Sequence, residues 1–445
     1  MRSQASRTRF MTSSRAFPLY RILPPGGPRT HAKIHHLYEV GAWDALSRVA
    51  DGHIPTRDAA TAMMAVEGAV RGGNDKAAEE LLWTLERRFP ELAAVVSTRA
   101  RLRTFQGRYA EALDDARRAQ LVTPSHAMAT ALAVRLGYDV DDATRADDDA
   151  VDAVARFPLS ADVLWAACRE CSTPRQYERL WHSWHAAIDD DARLVTAVRP
   201  LAAAAQRAGM TGAATTLYLR AIAATATDDA SSDAADTTTR TGRRAAWAAI
   251  RDLAEALTGQ PYFFAAGTAL GLIRDGRPLD GDDTIDVGVF ESDWDRERLV
   301  ELFTTHPMFA PRRNPLSHKV GLLHRGGSRV DVFPFYVDSG RLWHDGVFVR
   351  WHNDPFTIGV TRVDGMELPV PYEYEDYLSD GYGDWRRPRP DFDAYTDDAP
   401  NMHVTWSECH RLHLVRRAHR FHANGNLAAA ERELERAGAA PIPIS

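Results

Sequence analysis

The chain of 445 residues has 54 Lys+Arg against 61 Asp+Glu, a formal net charge of −7. That length predicts two or three domains with ample core, and the acidic balance argues against a general nucleic-acid binder. Three cysteines cannot build a disulfide framework and point to a reducing compartment; no apolar run approaches the ~20 residues of a membrane span.

Residues 1–36 carry Arg2, Arg7, Arg9, Arg15, Arg21, Arg29 and Lys33, with no acid before Glu39. Pro24-Pro25-Gly26-Gly27-Pro28 excludes a continuous helix, and no apolar segment suits a secretory signal. The stretch is expected to be a disordered basic tail, with Met11 an alternative start. A basic arm of this kind also suits an anionic lipid surface.

Residues 37–228 are Ala-rich and helical in pattern, and they repeat. Gly73 and Gly107 open equivalent turns 34 residues apart (107 − 73 = 34), and Gly209 falls in the same register. A small residue follows each by five positions: Ala78, Ala112 and Ala214. Pro90, Pro124 and Pro158 close the units with the same period. Small residues let paired helices pack closely, and Pro ends each second helix. The alternative is a plain Ala-rich bundle; the kept register favours repeats. The region resembles the tetratricopeptide family, which implies a curved α-solenoid whose concave face offers a place for a protein partner. Cys168 and Cys171 form a lone C-x-x-C inside a helical pattern, and without a second pair they read as buried helix-face residues.

Residues 229–243, rich in Thr, Ser, Asp and Ala, read as a linker, followed by a helix over about 244–258. Phe264 to Phe290, FAAGTALGLIRDGRPLDGDDTIDVGVF, then concentrates the chemistry. Gly267 permits close backbone approach to a ligand, and amides at a helix start suit a phosphate. Arg274 ends the helix after Gly267-Thr268, where it can hold a phosphate. Clustered carboxylates at a strand start suit a hard divalent cation. On that strand Asp282, Thr284 and Asp286 share one face, with Asp283 opposite. Asp286 between Ile285 and Val287 is costly to bury unless paired or metal-bound. The bland reading is a solvated acidic turn.

Beyond it, Asp293 to Phe303 reads as an amphipathic helix. Lys319 to Leu323 and Ser328 to Val337 read as paired strands across Arg325-Gly326-Gly327, with further short strands at 341–351 and 356–360. Asp331 lies in the otherwise apolar RVDVFPFY, where its bland role is an ion pair with a nearby Arg. Lys319, with His318, can contact a donor phosphate or the acceptor. His344 and His352 lack metal-ligand spacing and read as surface residues. Tyr372, Tyr374, Tyr377, Tyr382 and Trp385 read mostly as core, with one of them free to stack on a nucleobase or sugar. Residues 401–445, helical over 404–438, carry Gly425, Ala430 and Ala437 at spacings like half a repeat, so this segment is expected to pack as a cap. No phosphate-binding G-x-x-x-x-G-K-[ST] loop, G-x-S-x-G elbow or dinucleotide fingerprint occurs.

Three ordered blocks carry a resemblance: Gly267, Thr268, Arg274, Asp282 and Asp286; then RVDVFPFY at 329–336; then VPYEYEDYLSDGYGDWRRP at 370–388. Together, over about 244–400, they resemble the LicD/fukutin-type branch of the nucleotidyltransferase fold. The departure is Thr284, where the family pattern has a carboxylate. The fold expected is therefore α+β and multidomain: an N-terminal tetratricopeptide-like α-solenoid and a C-terminal mixed-sheet domain of nucleotidyltransferase fold. The resemblance implies transfer of a substituted phosphate, phosphocholine or an alditol phosphate, from a CDP-activated donor to a glycan or lipid-linked glycan, reached from the cytoplasmic side. It puts Asp331 at the third carboxylate position and implies Mg²⁺ or Mn²⁺ on Asp282, Asp286 and Asp331. It further implies phosphate contacts from Gly267, Thr268 and Arg274, a catalytic carboxylate at Asp286 or Asp331, and auxiliary roles for Asp283 and Thr284. The rivals are a nucleotidyltransferase acting on a small molecule or protein, and a non-catalytic interaction protein working through the repeats.

Overall fold

The structure, a computed structural model, describes residues 29–50, 58–140, 143–188, 193–225, 238–280, 282, 284–312, 318–389 and 391–439. Residues 1–28 of the expected tail, most of the expected linker, Gly281 and Asp283 lie outside these.

The N-terminal half is built from antiparallel helix pairs: α1 (Arg29–Glu39) with α2 (Trp43–Ala50), α3 (Ala59–Arg71) with α4 (Asp75–Arg88), and α5 (Ala93–Phe105) with α6 (Tyr109–Val122). The series continues as α7 (Ala127–Asp139) with α8 (Ala143–Arg156), α9 (Ala161–Arg169) with α10 (Pro174–Ala187), and α11 (Leu194–Arg207) with α12 (Thr211–Thr225). The helices opening at Ala59, Ala93, Ala127 and Ala161 keep the period read from the glycines. Gly73, Gly107 and Gly209 have φ of 71°, 72° and 75°, the left-handed region that lets each pair turn sharply. Ala78, Ala112 and Ala214 are fully buried at the helix–helix contacts. Cys168 and Cys171 are buried free thiols, and burial pushes the Cys168 thiol up to about 12, so both are inert packing residues.

Glu67 is a charged residue inside this array. It is 2 % exposed and bonds Arg71 at 2.6 Å and Arg101 at 3.0 Å. Burial alone raises its pKa, but the Arg101 and Arg71 guanidiniums overcome that and hold it at about 2, against 4.5 for a free Glu. A depressed carboxylate stabilises the fold above its unfolded pKa. Acid titration is therefore expected to remove on the order of 3 kcal/mol as pH falls from about 4.5 towards about 2. Urea midpoints across that range check this; in Glu67→Gln this part of the decline should be absent.

The C-terminal half begins with α13 (Thr238–Ala256), which starts inside the expected linker. Its basic face is used early: Arg244 donates to the Val40 carbonyl at 2.9 Å, tying the helix to the first repeat pair. Likewise α1 starts at Arg29, within the stretch expected to be tail, directly after the Pro-Gly run ends.

An eight-stranded mixed sheet follows. Its strands are β1 (Phe263–Phe264), β2 (Thr284–Phe290), β3 (Phe309–Pro311), β4 (Val320–His324), β5 (Arg329–Asp338), β6 (Arg341–Asp345) and β7 (Val349–Asn353), with β10 (Met402–Val404) on the far edge. β8 (Ile358–Val363) and β9 (Met366–Pro371) form a separate hairpin. β5 is the spine, running parallel to β2 and antiparallel to β4 and β6. Among the described residues this half also has the helices α14 (Ala266–Leu270), continued by a helical turn over Gly271–Asp275, α15 (Arg296–Thr305), α16 (Tyr374–Tyr382) and α17 (Ser407–Ala423), with α18 (Leu427–Arg436) paired to α17. Val404, expected to open the last helical segment, instead pairs with Val349 in the sheet; β-branched and at an edge, it suits a strand better.

The α17–α18 pair stacks on α11 and α12, sharing one core with them through Leu412, Val415, Ala418 and Leu434. It is the cap expected from Gly425, Ala430 and Ala437. The sheet domain is thus inserted in sequence between two neighbours of one helical stack. It is also held by the second and third helix pairs. The turn Arg325-Gly326-Gly327 between β4 and β5 enters the repeats, where Arg325, 3 % exposed, pairs with Asp75, donates to the Val70 carbonyl at 3.3 Å and lies 5.0 Å over the Phe105 ring. Arg71 donates to the Gly326 carbonyl at 3.0 Å. No helix among the described residues is long and apolar enough to cross a membrane.

Candidate active site

β2 and β5 are parallel and in register, so Asp286 lies directly beside Asp331. Parallel strands with apolar neighbours on both sides put Val287 and Val332 into the core beneath and turn the two carboxylates to the opposite face. Before β2 the chain brings Asp282 back over the strand start, where it accepts from the Thr284 N–H at 3.0 Å. The short helix α14 then presses against these acids. The Asp286 N–H donates to Thr268 Oγ1 at 2.8 Å, and a Cβ at Gly267 would lie 2.9 Å from Asp282 Oδ2, so any larger residue there would push the Asp282 carboxylate aside.

Together these residues line a cavity of about 380 Å³, within the size range of ligand pockets. Gly267, Asp282, Thr284, Asp286, Lys319 and Asp331 all reach it. Burial drives the Asp286 pKa well above the usual carboxylate range, and Asp282 and Asp331 push it further; Lys319 and the Gly267 amide pull the other way. Asp331 is 8 % exposed. Its Oδ2 accepts from Lys319 Nζ at 2.5 Å, while its Oδ1 is buried with no partner. The ion pair foreseen for Asp331 exists, with Lys319 rather than an Arg.

One expected contact, from Arg274, lies elsewhere. Arg274 donates to Asp275 at 2.9 Å and to the Trp385 carbonyl at 3.3 Å, and is not among the residues lining the cavity. The Thr268 hydroxyl is taken up by the strand amide. Asp283, foreseen as auxiliary, lies outside the described residues.

The cavity's far walls come partly from the third block of the resemblance and partly from segments that carried no signal. Tyr377 and Tyr382 of α16 form one side. Tyr377 Oη accepts from the Ala266 N–H at 2.9 Å and so holds Ala266 at φ 44°, a left-handed conformation that costs a non-glycine residue about 1 kcal/mol or more. Tyr372 and Tyr374, by contrast, are exposed. His344, read as a surface residue, lines the cavity: its ring stacks 4.5 Å from Phe335 and 4.9 Å from Trp351, and burial lowers its pKa to about 3. The correction follows from strand alternation, since the aromatic neighbours that hide it arrive from β5 and β7. The roof is residues 392–401, with Tyr395 and Asn401. His344 Nδ1 and Asn401 Oδ1 are buried without partners, as Asp331 Oδ1 is. Three orphaned polar atoms around one cavity mark it as a place for a polar ligand.

No group of three or more His, Cys, Asp or Glu side chains among the described residues is placed to hold a metal ion. What is present is open and acidic: three carboxylates face one cavity, one with an orphaned oxygen, and Gly267 leaves room above them. The donors are all oxygen, the chemistry a hard divalent cation takes, and a cation there would need water or substrate phosphate to complete its ligands.

The mixed sheet thus carries paired acids near the start of two parallel strands, facing a Gly-Thr turn. Residues 259–371 match the family model described as LicD/FKTN/FKRP, nucleotidyltransferase domain, so the chain carries a LicD-type domain there. No curated protein matches the chain. The domain supports a transferase.

Proposed function

We propose that the protein moves a substituted phosphate, phosphocholine or an alditol phosphate, from a CDP-activated donor to a hydroxyl of a glycan or lipid-linked glycan, with residues 244–400 as the catalytic domain. The observation that carries this reading is the in-register pair Asp286–Asp331, joined by Asp282 and Lys319 around one cavity. Asp282, Asp286 and Asp331 would hold Mg²⁺ or Mn²⁺, which when bound neutralises diphosphate charge. Lys319 balances Asp331 in the free protein and is placed to turn to a donor phosphate. Asp286 has no such lysine and is the better acceptor for the hydroxyl proton. In the transfer, the acceptor oxygen bonds to phosphorus, the bond from phosphorus to the CMP oxygen breaks, and CMP leaves with the electron pair. The tyrosine wall of α16 offers flat faces for the cytosine or a sugar, and the roof excludes water.

Mass spectrometry of the acceptor after incubation with CDP-activated donors tests the reading. Added phosphocholine or alditol phosphate supports it. Added nucleotide would instead assign a nucleotidyltransferase, and no donor binding or turnover with either metal would leave an interaction protein.

Thr284 gives a second test. A hydroxyl attracts a hard cation much less than a carboxylate does. Thr284→Asp is expected to tighten Mg²⁺ binding on the order of tenfold, read by calorimetric titration with donor present. No metal binding in the wild type, with none gained by Thr284→Asp, would sink the catalytic reading.

A further inference from the structure

A second and larger cavity, about 620 Å³, opens where the end of the solenoid meets the sheet domain. Its walls come from α9 and α11 of the repeats, from α17, and from the turn between β6 and β7. The charge lining it is one-sided. Its only acid is Asp393, and that carboxylate is already engaged: it accepts from His413 Nε2 and from the Tyr395 N–H, each at 3.0 Å. Arg199, Arg416 and Arg420 line the cavity, are exposed, and form no ion pair with an acid among the described residues. Arg416 instead contacts His413 Nδ1 at 2.9 Å, and Arg420 lies 5.5 Å over Phe421. Unpaired guanidiniums around one concave space repel each other, and an anion relieves that repulsion with charge-assisted bonds. His419 adds a buried donor or acceptor: it is 7 % exposed, and its Nε2 has no partner. Trp165 at the wall is 43 % exposed, a flat apolar face of the kind on which a sugar ring stacks.

This cavity adjoins the first. Tyr395 lines both, its ring 5.0 Å from Trp351 of the active cavity and 5.6 Å from Phe348 of the second. We propose that the second cavity is an acceptor subsite, built jointly by the repeats and α17, that binds the carboxylate or phosphate groups of an acidic oligosaccharide. The inference rests on the reading of the first cavity as a glycan-directed transfer site. An oligosaccharide anchored on Arg199, Arg416 and Arg420, with one ring on Trp165, extends past Tyr395 towards Asp286. The repeats then choose the acceptor, and the sheet domain performs the transfer.

Binding of oligosaccharides to the full chain without donor tests this separately from catalysis. The probes are tetragalacturonate for carboxylate, a phosphorylated oligomannose for phosphate, neutral maltotetraose, and octaglutamate as an acidic peptide. At least one acidic oligosaccharide is expected to bind tenfold or more tightly than both maltotetraose and octaglutamate, with affinity falling as salt is raised. The arm that binds identifies the anionic group. The double variant Arg199→Glu/Arg416→Glu changes two exposed side chains; it should lose that binding tenfold or more while keeping its melting temperature and donor binding. Trp165→Ala should weaken the acidic sugar several-fold. The proposal is overturned if neither acidic sugar exceeds maltotetraose, if octaglutamate binds as well as the sugars, or if the double variant binds like the wild type. A chain that binds the acidic sugar yet turns over no donor would refute the catalytic reading and leave the subsite standing.

Discussion

Asp331→Asn is expected to lower transfer by about 10³-fold, ~4 kcal/mol of transition-state stabilisation, while the chain stays folded. The reason is local. Asp331 presents one oxygen to Lys319 and leaves the other buried and unpartnered at the cavity. Asparagine keeps the shape and the packing between β2 and β4 but removes the charge that both Lys319 and a bound cation need. Donor affinity should fall as well, most steeply at low metal concentration. Asp286→Asn should be as damaging to turnover and should leave the Lys319–Asp331 pair intact. Single-turnover transfer measured alongside circular dichroism checks both; a near-wild-type rate in either variant removes that residue from the mechanism.

The second large effect lies far from the chemistry. Asp75→Ala is expected to destabilise the protein by about 3 kcal/mol, because it leaves the Arg325 guanidinium buried between the repeats and the sheet domain without its carboxylate. Arg325 keeps the Val70 carbonyl and the Phe105 ring, which cannot balance a full charge. In the double variant Asp75→Ala/Arg325→Met, much of the loss should return, since a methionine fills the same slot without a charge. Urea denaturation of the four proteins of this cycle measures the coupling. Simple additivity would show that the pair does not join the two halves.

What the sequence disclosed and what it withheld divide along physical lines. The repeats were legible because their period is local: a left-handed glycine, a small residue five later and a closing proline recur wherever two helices must pack closely. Gly267 and the acids after it were legible for the same reason, as a close backbone approach and unfavourably placed charges within one short stretch. The strands at 320–324 and 329–338 followed from alternation around Arg325-Gly326-Gly327. That turn gave no hint that it docks into the repeats, because Asp75 and Phe105 lie more than two hundred residues away. His344, Tyr395 and Asn401 were invisible as site residues for the same reason: nothing in their own neighbourhood marks them, and only tertiary packing brings them over Asp286. Arg274 shows the converse error. It lies in the right motif, yet the next residue, Asp275, and the Trp385 carbonyl claim its guanidinium.

The α17–α18 pair also has a consequence for how the chain emerges from the ribosome. The last repeat helix, α12, ends at Thr225, and the pair that covers its apolar side ends at Arg436. Roughly 200 residues are made between them, which at ~5–20 residues per second takes about 10–40 s. For that interval Leu217, Tyr218, Ala221 and Ile222, buried in the finished protein, are without the partners that α17 supplies. A nascent chain of this design is most exposed to mispairing not at its beginning but while the sheet domain is being synthesised, and a pause or truncation there leaves the helical stack open at one end.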